Sequence, residues 1–600
     1  MRKQQATLLG DSALSIEGKK IARMLNFFGV SWSASTVTEL LDLNSAGNDR
    51  FVSVRLICSS STFLRLIEDL ERNQASVQFW KRQIHSVFVY AGNDSEALQK
   101  LVQRLSGNDR AGLQKINNGN VGDVAVSNHL DEFCGVMAGV RTTASKCVGD
   151  AEFTLNAPEG NAISIMSVND GAIFSRFEYN RVAVLLSTSK EIIDIDAELT
   201  SQNFDIREHF LRAVPLVLYI KWAFAETCWS APQTNACLVI DDPVLKHRHG
   251  FVDFQELLSL MKQHRFSTNI AFIPWNWRRS APEIVQLFRQ NPEKYSLSVH
   301  GCDHTRAEFG TSDRQRLYWK ACQALERMNA HQSVTGIRHD RVMVFPQGIF
   351  SEAAMNVLKR TDLIAAVNND VISAGPSRRA VSLGELWDIA IMGYGFPLLT
   401  RRYPWEGIEN FAFDALLGKP AIIIIHHDYC SDGCARLMQF IDRLNSLKYP
   451  PTWRSLGEVV RRSYRQRERS ASQVEIEMYA AELRLDNRSG QPRSFSIRRR
   501  EDEPAVIREI SDGSKPLEWN FANGYISFEV GLSAGESKVV QVRYHFLGRD
   551  GRDGDALGYK FRAMLRRYLC EIRDNYVTTA KLRVANRLGH RDQQSEALTR

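Results

Sequence analysis

Cys237–Leu238–Val239–Ile240–Asp241–Asp242–Pro243 is an apolar run, rich in β-branched residues, that stops in two adjacent carboxylates. Farther along, Leu297–Ser298–Val299 ends in His300, and His304 follows four positions later. Short apolar runs of this kind read as buried strands. Strands that deliver acids and imidazoles at their C-terminal ends predict an α/β active site, because parallel sheets place their chemistry there. Two carboxylates ending a buried strand are costly unless something cationic meets them. Asp and His are also the ligands a zinc-type ion takes, and three protein ligands leave a position open for water. Neighbouring strand side chains point opposite ways, so one of Asp241 and Asp242 reads as a ligand and the other as a general base. His300 and His304, with Asp303 and Thr305 alongside, read as metal ligands.

Outward from this stretch the chain keeps a strand-then-helix beat. The strand at 238–240 leads to a helix opened by Asp253 with Glu256 three residues on, a capping-box arrangement. Strands at 268–273, 296–299 and 342–345 precede helices at about 283, 314–328 and 352–359, with Pro282 and Ser351 as start signals. Further strands are predicted at 363–367, near 387–392 and at 421–425, and helices at 408–417 and 435–447. About seven such units predict an α/β fold one unit short of an eightfold barrel.

The flanks differ from this centre. Residues 1–110 alternate helix and strand and predict an N-terminal α/β domain without a Gly-rich phosphate loop or dinucleotide fingerprint. Residues 106–120 are polar and rich in Gly and Asn, a loop or linker. Residues 121–230 predict a mixed α/β domain, or a continuation of the first, with a hairpin at Asn169–Asp170–Gly171 and a helix at 209–224. The barrel region spans 235–450, and a basic helix is expected over 452–470. Residues 474–545 alternate apolar and polar and predict a β-sandwich-like domain. Residues 555–600 form a basic helical tail. It is expected to dock back on the protein, with a peripheral membrane or protein contact as the other reading.

Composition narrows the class. A chain of 600 residues is too long for one core, and 44% hydrophobic with 24% charged residues is ordinary globular composition. A net charge of +7 with interleaved signs gives no reason to expect a nucleic-acid partner. No apolar stretch reaches the roughly 20 residues of a membrane span. Met1–Arg2–Lys3 is followed by no signal-like apolar region, so a cytoplasmic location is expected. Ten cysteines without paired spacings fit a reducing compartment.

Other polar clusters follow predicted strands. In His426–His427–Asp428 one imidazole is placed to protonate a leaving amine, with Asp428 orienting it, or the two histidines simply sit in a loop. Phe345–Pro346–Gln347–Gly348 is either a turn or a pocket wall offering a backbone N–H to an oxyanion. Trp275, Trp277, Tyr403 and Trp405 lie on post-strand loops, where aromatic faces could stack on sugar rings or pack. Lys246, His247, Arg248 and His249 read as a solvated loop or an anion site.

Over residues 235–430 the pattern resembles the polysaccharide deacetylase family, the chitin-deacetylase-like carbohydrate esterases. Ile240–Asp241–Asp242–Pro243 matches its double-Asp motif, His300 to His304 its His-x-x-x-His motif, and Ile425–His426–His427–Asp428 its last motif. Its third motif has an Arg two residues before a Pro; here Pro346 is kept and Val344 stands in the Arg position. Its Asp/Trp motif has a weak counterpart in Trp387–Asp388. The resemblance implies a distorted seven-stranded (β/α) barrel and a divalent metal, Zn²⁺ by type. It implies Asp242, His300 and His304 as ligands, Asp241 as catalytic base and His427 as catalytic acid. Pro346, Gln347, Trp275, Tyr403 and Trp405 are the expected substrate-binding residues. The expected activity is removal of acetyl groups from an N- or O-acetylated sugar or polysaccharide. The rival readings are an amidase on a non-sugar C–N bond and a catalytically silent carbohydrate-binding or assembly protein.

Overall fold

The apolar run at 237–240 lies inside β1 (Asn235–Asp241), a strand buried along its whole length. The structure is a computed structural model and describes residues 5–10, 14–42, 54–72, 74–116, 122–143, 150–156, 162–169, 171–375, 378–548 and 556–582. β1 belongs to a curled parallel sheet with β2 (Thr268–Phe272), β3 (Tyr295–His300), β4 (Val342–Val344), β5 (Ala365–Asn368), β6 (Leu398–Thr400) and β7 (Ala421–Ile425). Their order in space is β6-β5-β4-β3-β2-β1-β7, and the short strand Thr452–Trp453 pairs with the start of β1. The curl brings the two edges together at Arg402. Its N–H donates to the Ile422 carbonyl and its own carbonyl accepts from Ile424 N–H, both at 2.9 Å.

Strands covered on both faces are apolar without interruption, and alternation divides their side chains between two cores. Along β1, Ala236, Leu238 and Ile240 enter the main core, whereas Cys237 and Val239 enter a second one. Each fully buried aliphatic side chain is worth roughly 1.5–3 kcal/mol of transfer free energy, so the sheet is held mainly by these faces. Local signals agree with the packing. Asp313 caps α1 (Arg314–Thr335) by accepting from Arg316 N–H, and Gly336 ends it in the left-handed region. α2 (Ile408–Leu417) ends the same way at Gly418 and leads into β7.

Strands from 5 to 187 form one mixed sheet. The strands Trp32–Thr36, Gln5–Gly10, Val54–Ser59, Ile84–Tyr90 and Val182–Ser187 run parallel. Gly171–Tyr179 and Ala162–Val168 then continue antiparallel as the hairpin expected at Asn169. The helix Phe210–Ala223 is apolar nearly all round and correspondingly buried in the main core. On the other side, five strands from Arg465 to Leu532 and the three strands Glu482–Asp486, Ser537–Tyr544 and Ile507–Ser511 share the second core. Among the described residues no helix is long and apolar enough to cross a membrane.

Two expectations are corrected. The basic helix expected over 452–470 stops at Arg461, and Arg465–Ser470 is an edge strand paired with Gln473–Met478. There Arg467 and Arg469 both reach the Glu475 carboxylate across the hairpin, so the basic run serves cross-strand pairing. The strand expected near 387–392 is instead the end of a helix, Leu383–Trp387, opened by a Ser382/Glu385 capping box. The sheet's sixth strand is β6, three residues long.

Candidate active site

Asp242, His300 and His304 each turn one ligand atom toward a common point, and the three atoms lie within 4.8 Å of one another. Asp242 Oδ1 is 3.4 Å from His300 Nε2 and 3.0 Å from His304 Nε2, yet it is buried and makes no hydrogen bond. Lone pairs that converge without bonding one another are what a tetrahedral cation needs, so these residues fit a zinc-type ion. His300 Nδ1 lies 3.1 Å from the Val344 carbonyl, which leaves Nε2 as the ligand nitrogen. Asp242 and His304 sit at φ of 80° and 56°, a left-handed conformation that costs non-glycine residues about 1–3 kcal/mol. That strain is what aims two residues just past strand ends at one point.

The loop from β3 to His304 is fixed from behind. The buried Glu308 carboxylate accepts N–H groups from Cys302, Asp303 and His304 at 2.9, 3.0 and 3.2 Å. Asp303 is held by Lys320 and by Arg327 at 2.6 Å, both from α1. Cys302, Asp303 and Glu308 also lie close enough to hold an ion. Their carboxylates are already spent on cations and backbone donors, so this cluster supports the loop. Gly301 adopts φ of 61°, and a Cβ there would come within 2.3 Å of Pro346, so only glycine passes at this point.

Asp241 faces a different partner. Arg401, one residue past β6, forks onto its carboxylate at 2.7 and 2.8 Å, with both side chains almost fully buried. Burial alone would push the Asp241 carboxyl up; Arg401 and then His300 outweigh it and hold it below the ordinary carboxylate range. Burial also opposes the Asp242 charge, but His304 and His300 hold that carboxyl well below its usual value. The two rings respond differently. Burial would lower both, and the carboxylates of Asp241 and Asp242 raise His300, whereas at His304 burial wins and Arg567 adds to it.

The two histidines after β7 diverge. His426 lies stacked near Tyr403 and adds its charge to those felt by Asp241. His427 is buried against His249 and Phe251, with Nε2 3.5 Å from Asp574 Oδ1. Its Nδ1 would be only 2.2 Å from a Cβ at residue 250, so Gly250, at φ of 58°, is required for the ring to sit there.

Asp574 comes from the C-terminus. α3 (Leu557–Ile572) and the wide π turn Arg573–Thr578 lie across the mouth of the sheet. Glu571 pairs with Lys246 and Arg279, and Asn575 accepts the Gly250 N–H at 2.6 Å. The buried Arg567 guanidinium lies 3.3 Å from His304 Nδ1, and Tyr559 donates to Asp303 at 3.0 Å. Trp275, expected to meet substrate, instead packs edge-on against Tyr568 of α3 and beneath Arg279. Tyr403 and Trp405 are stacked at 4.0 Å, and Trp405 is 54% exposed. Pro346 is buried against Gly301, and Gln347, at φ of 60°, accepts the Ala307 N–H at 3.1 Å. Arg401, Asp574 and Arg567 were not foreseen. A signal for the first is present, since Leu398–Leu399–Thr400 is an apolar pair running straight into two arginines.

Solved structures similar to this chain fall in one class, polysaccharide deacetylases and family 4 carbohydrate esterases, over about a third of its length. One is a putative polysaccharide deacetylase from Mycobacterium smegmatis, at 14% identity, covering 37% of this chain and 89% of that one, with a TM-score of 0.26. The Xyl-CE4 domain of a multidomain xylanase from the hindgut metagenome of Trinervitermes trinervoides has 11% identity, 38% and 89% coverage and a TM-score of 0.25. A family 4 acetyl xylan esterase from Clostridium thermocellum, in complex with a cobalt ion, has 12% identity, 38% and 90% coverage and a TM-score of 0.24. No family model and no curated protein matches the sequence.

Proposed function

We propose that this chain is a metal-dependent deacetylase acting on an N- or O-acetylated sugar. The observation that carries the reading is the convergence of Asp242, His300 and His304 beside the forked Asp241–Arg401 pair. In this reading the curled sheet is a distorted seven-stranded barrel and the two C-terminal sheets an accessory β-sandwich. A zinc-type ion, held by Asp242, His300 and His304, would supply Lewis-acid polarisation of the scissile carbonyl and a more acidic water. Asp241, kept ionised and oriented by Arg401, takes the proton of the attacking water. His427, steadied by Asp574, hands a proton to the departing nitrogen or oxygen. The stacked Tyr403–Trp405 pair offers an aromatic face to a sugar ring, and the turn at Pro346–Gln347 walls the opposite side.

The test combines metal content with acetate release. Purified protein is expected to bind one zinc-type ion per chain, and His300→Ala to lose it. Acetate should be released from N-acetylglucosamine oligomers or acetylated xylan, with Asp241→Asn slower by about 10²–10⁴-fold. Failure to bind metal would defeat the whole reading, whereas metal binding without acetate release would leave only a non-sugar amidase. His427→Ala and His426→Ala decide which imidazole is the acid: loss in the second alone transfers the role to His426.

A further inference from the structure

α3 has two faces, and only one is used by the protein. The inward face carries Tyr559, Arg567, Glu571 and Asp574 into the mouth of the sheet. The outward face carries Leu557, Phe561, Leu565, Leu569, Ile572 and Tyr576, each between 47% and 84% exposed. Their spacing of three and four residues lays them along one stripe. Nine of the sixteen large hydrophobic side chains exposed among the described residues fall between 557 and 577, so this is a patch and not scatter.

Charge decides what covers the patch. Lys560, Arg562, Arg566 and Arg573 border the stripe. Between 556 and 582 the acids are Glu571 and Asp574, and both are turned inward onto Arg279, Lys246 and His427. The outward face is therefore apolar and purely cationic. A second copy of the helix would set the same cations against each other, with no acid on either side to offset them. An anionic bilayer meets both needs: the apolar side chains enter the boundary between headgroups and acyl chains, and the basic residues remain among the phosphates.

We infer that α3 docks this chain on an anionic membrane surface through its outward face, with the mouth of the curled sheet directed toward the bilayer. The inference is independent of the hydrolase reading, because its readout is lipid binding. The experiment is co-sedimentation of the full chain with phosphatidylcholine vesicles, with or without phosphatidylglycerol. The protein is expected to pellet only with the phosphatidylglycerol vesicles and to be released by high salt. Lys560→Gln and Arg562→Gln, both at exposed positions, should each weaken binding about fivefold. The triple variant Phe561→Ser, Leu565→Ser, Leu569→Ser should abolish it with an unchanged melting temperature, since these side chains stand in solvent. Three results would overturn the inference. They are no binding to anionic vesicles at low salt, binding undiminished in the triple variant, and a dimer in sedimentation velocity that the triple variant converts to monomer.

Discussion

Arg401→Met tests the pairing at the centre of the site. It removes a guanidinium that forks onto Asp241 at 2.7 and 2.8 Å where neither group is more than 4% exposed. With charge centres about 4 Å apart and an effective dielectric near 20, the attraction is about 4 kcal/mol. Stranding a buried carboxylate in this way costs about 3–5 kcal/mol, because the desolvation penalty stays when the partner goes. In a domain of this size that is a fall in melting temperature on the order of ten degrees. Asp241→Asn in the same background removes the stranded charge, so the double variant should recover most of the loss. The assay is a double-mutant cycle followed by urea denaturation and thermal melting of the metal-free chain. A single-variant cost below about 1 kcal/mol, or a double variant no better than Arg401→Met, would refute the reasoning.

Other expectations are narrower. His331 is fully buried against Phe272, 2.9 Å from Ser280 Oγ; burial, aided by His339, lowers its pKa from 6.5 to about 4. The folded chain therefore resists a proton that the unfolded chain accepts. Stability is complete above pH 6.5 and declines toward pH 4 by at most about 3 kcal/mol. Urea melts across that window should show a shallower acid decline in His331→Leu, and an unaltered slope would count against it. Lys359 joins the central sheet to the C-terminal sheets through Glu501, which Arg499 also holds at 3.2 Å. Lys359→Met should cost about 2–3 kcal/mol, below the usual figure because Arg499 remains; thermal melting reads it. Gly250→Ala must both adopt a left-handed φ and displace the His427 ring, so kcat on an acetylated sugar should fall more than KM rises. Equal wild-type kinetics would separate His427 from the chemistry.

Much of the site is legible in the sequence because chemistry ends apolar strands. Asp241, Asp242, His300 and His304 each sit at or just after a run whose burial the sequence advertises. Arg401 escaped because β6 has only three residues and follows Gly393 and Gly395, too short for a period to emerge. Asp574 and Arg567 escaped for another reason. An amphipathic helix reveals that it docks, but not which distant cavity its polar face enters. The run at 461–469 misled because arginines suit an exposed helix and an edge strand equally, and the deciding partner, Glu475, lies beyond the turn.

The consecutive pair Arg401–Arg402 binds two tasks into one peptide unit. Arg401 points into the site, while Arg402 seals the seam to β7 and reaches outward to Asp414 at 2.7 Å and the Phe204 carbonyl at 2.9 Å. The attitude of the Asp241 carboxylate is thereby mechanically tethered to a segment that leads back into the N-terminal half. Loosening that outer anchorage, with every catalytic side chain intact, would unseat the base's only cationic clamp.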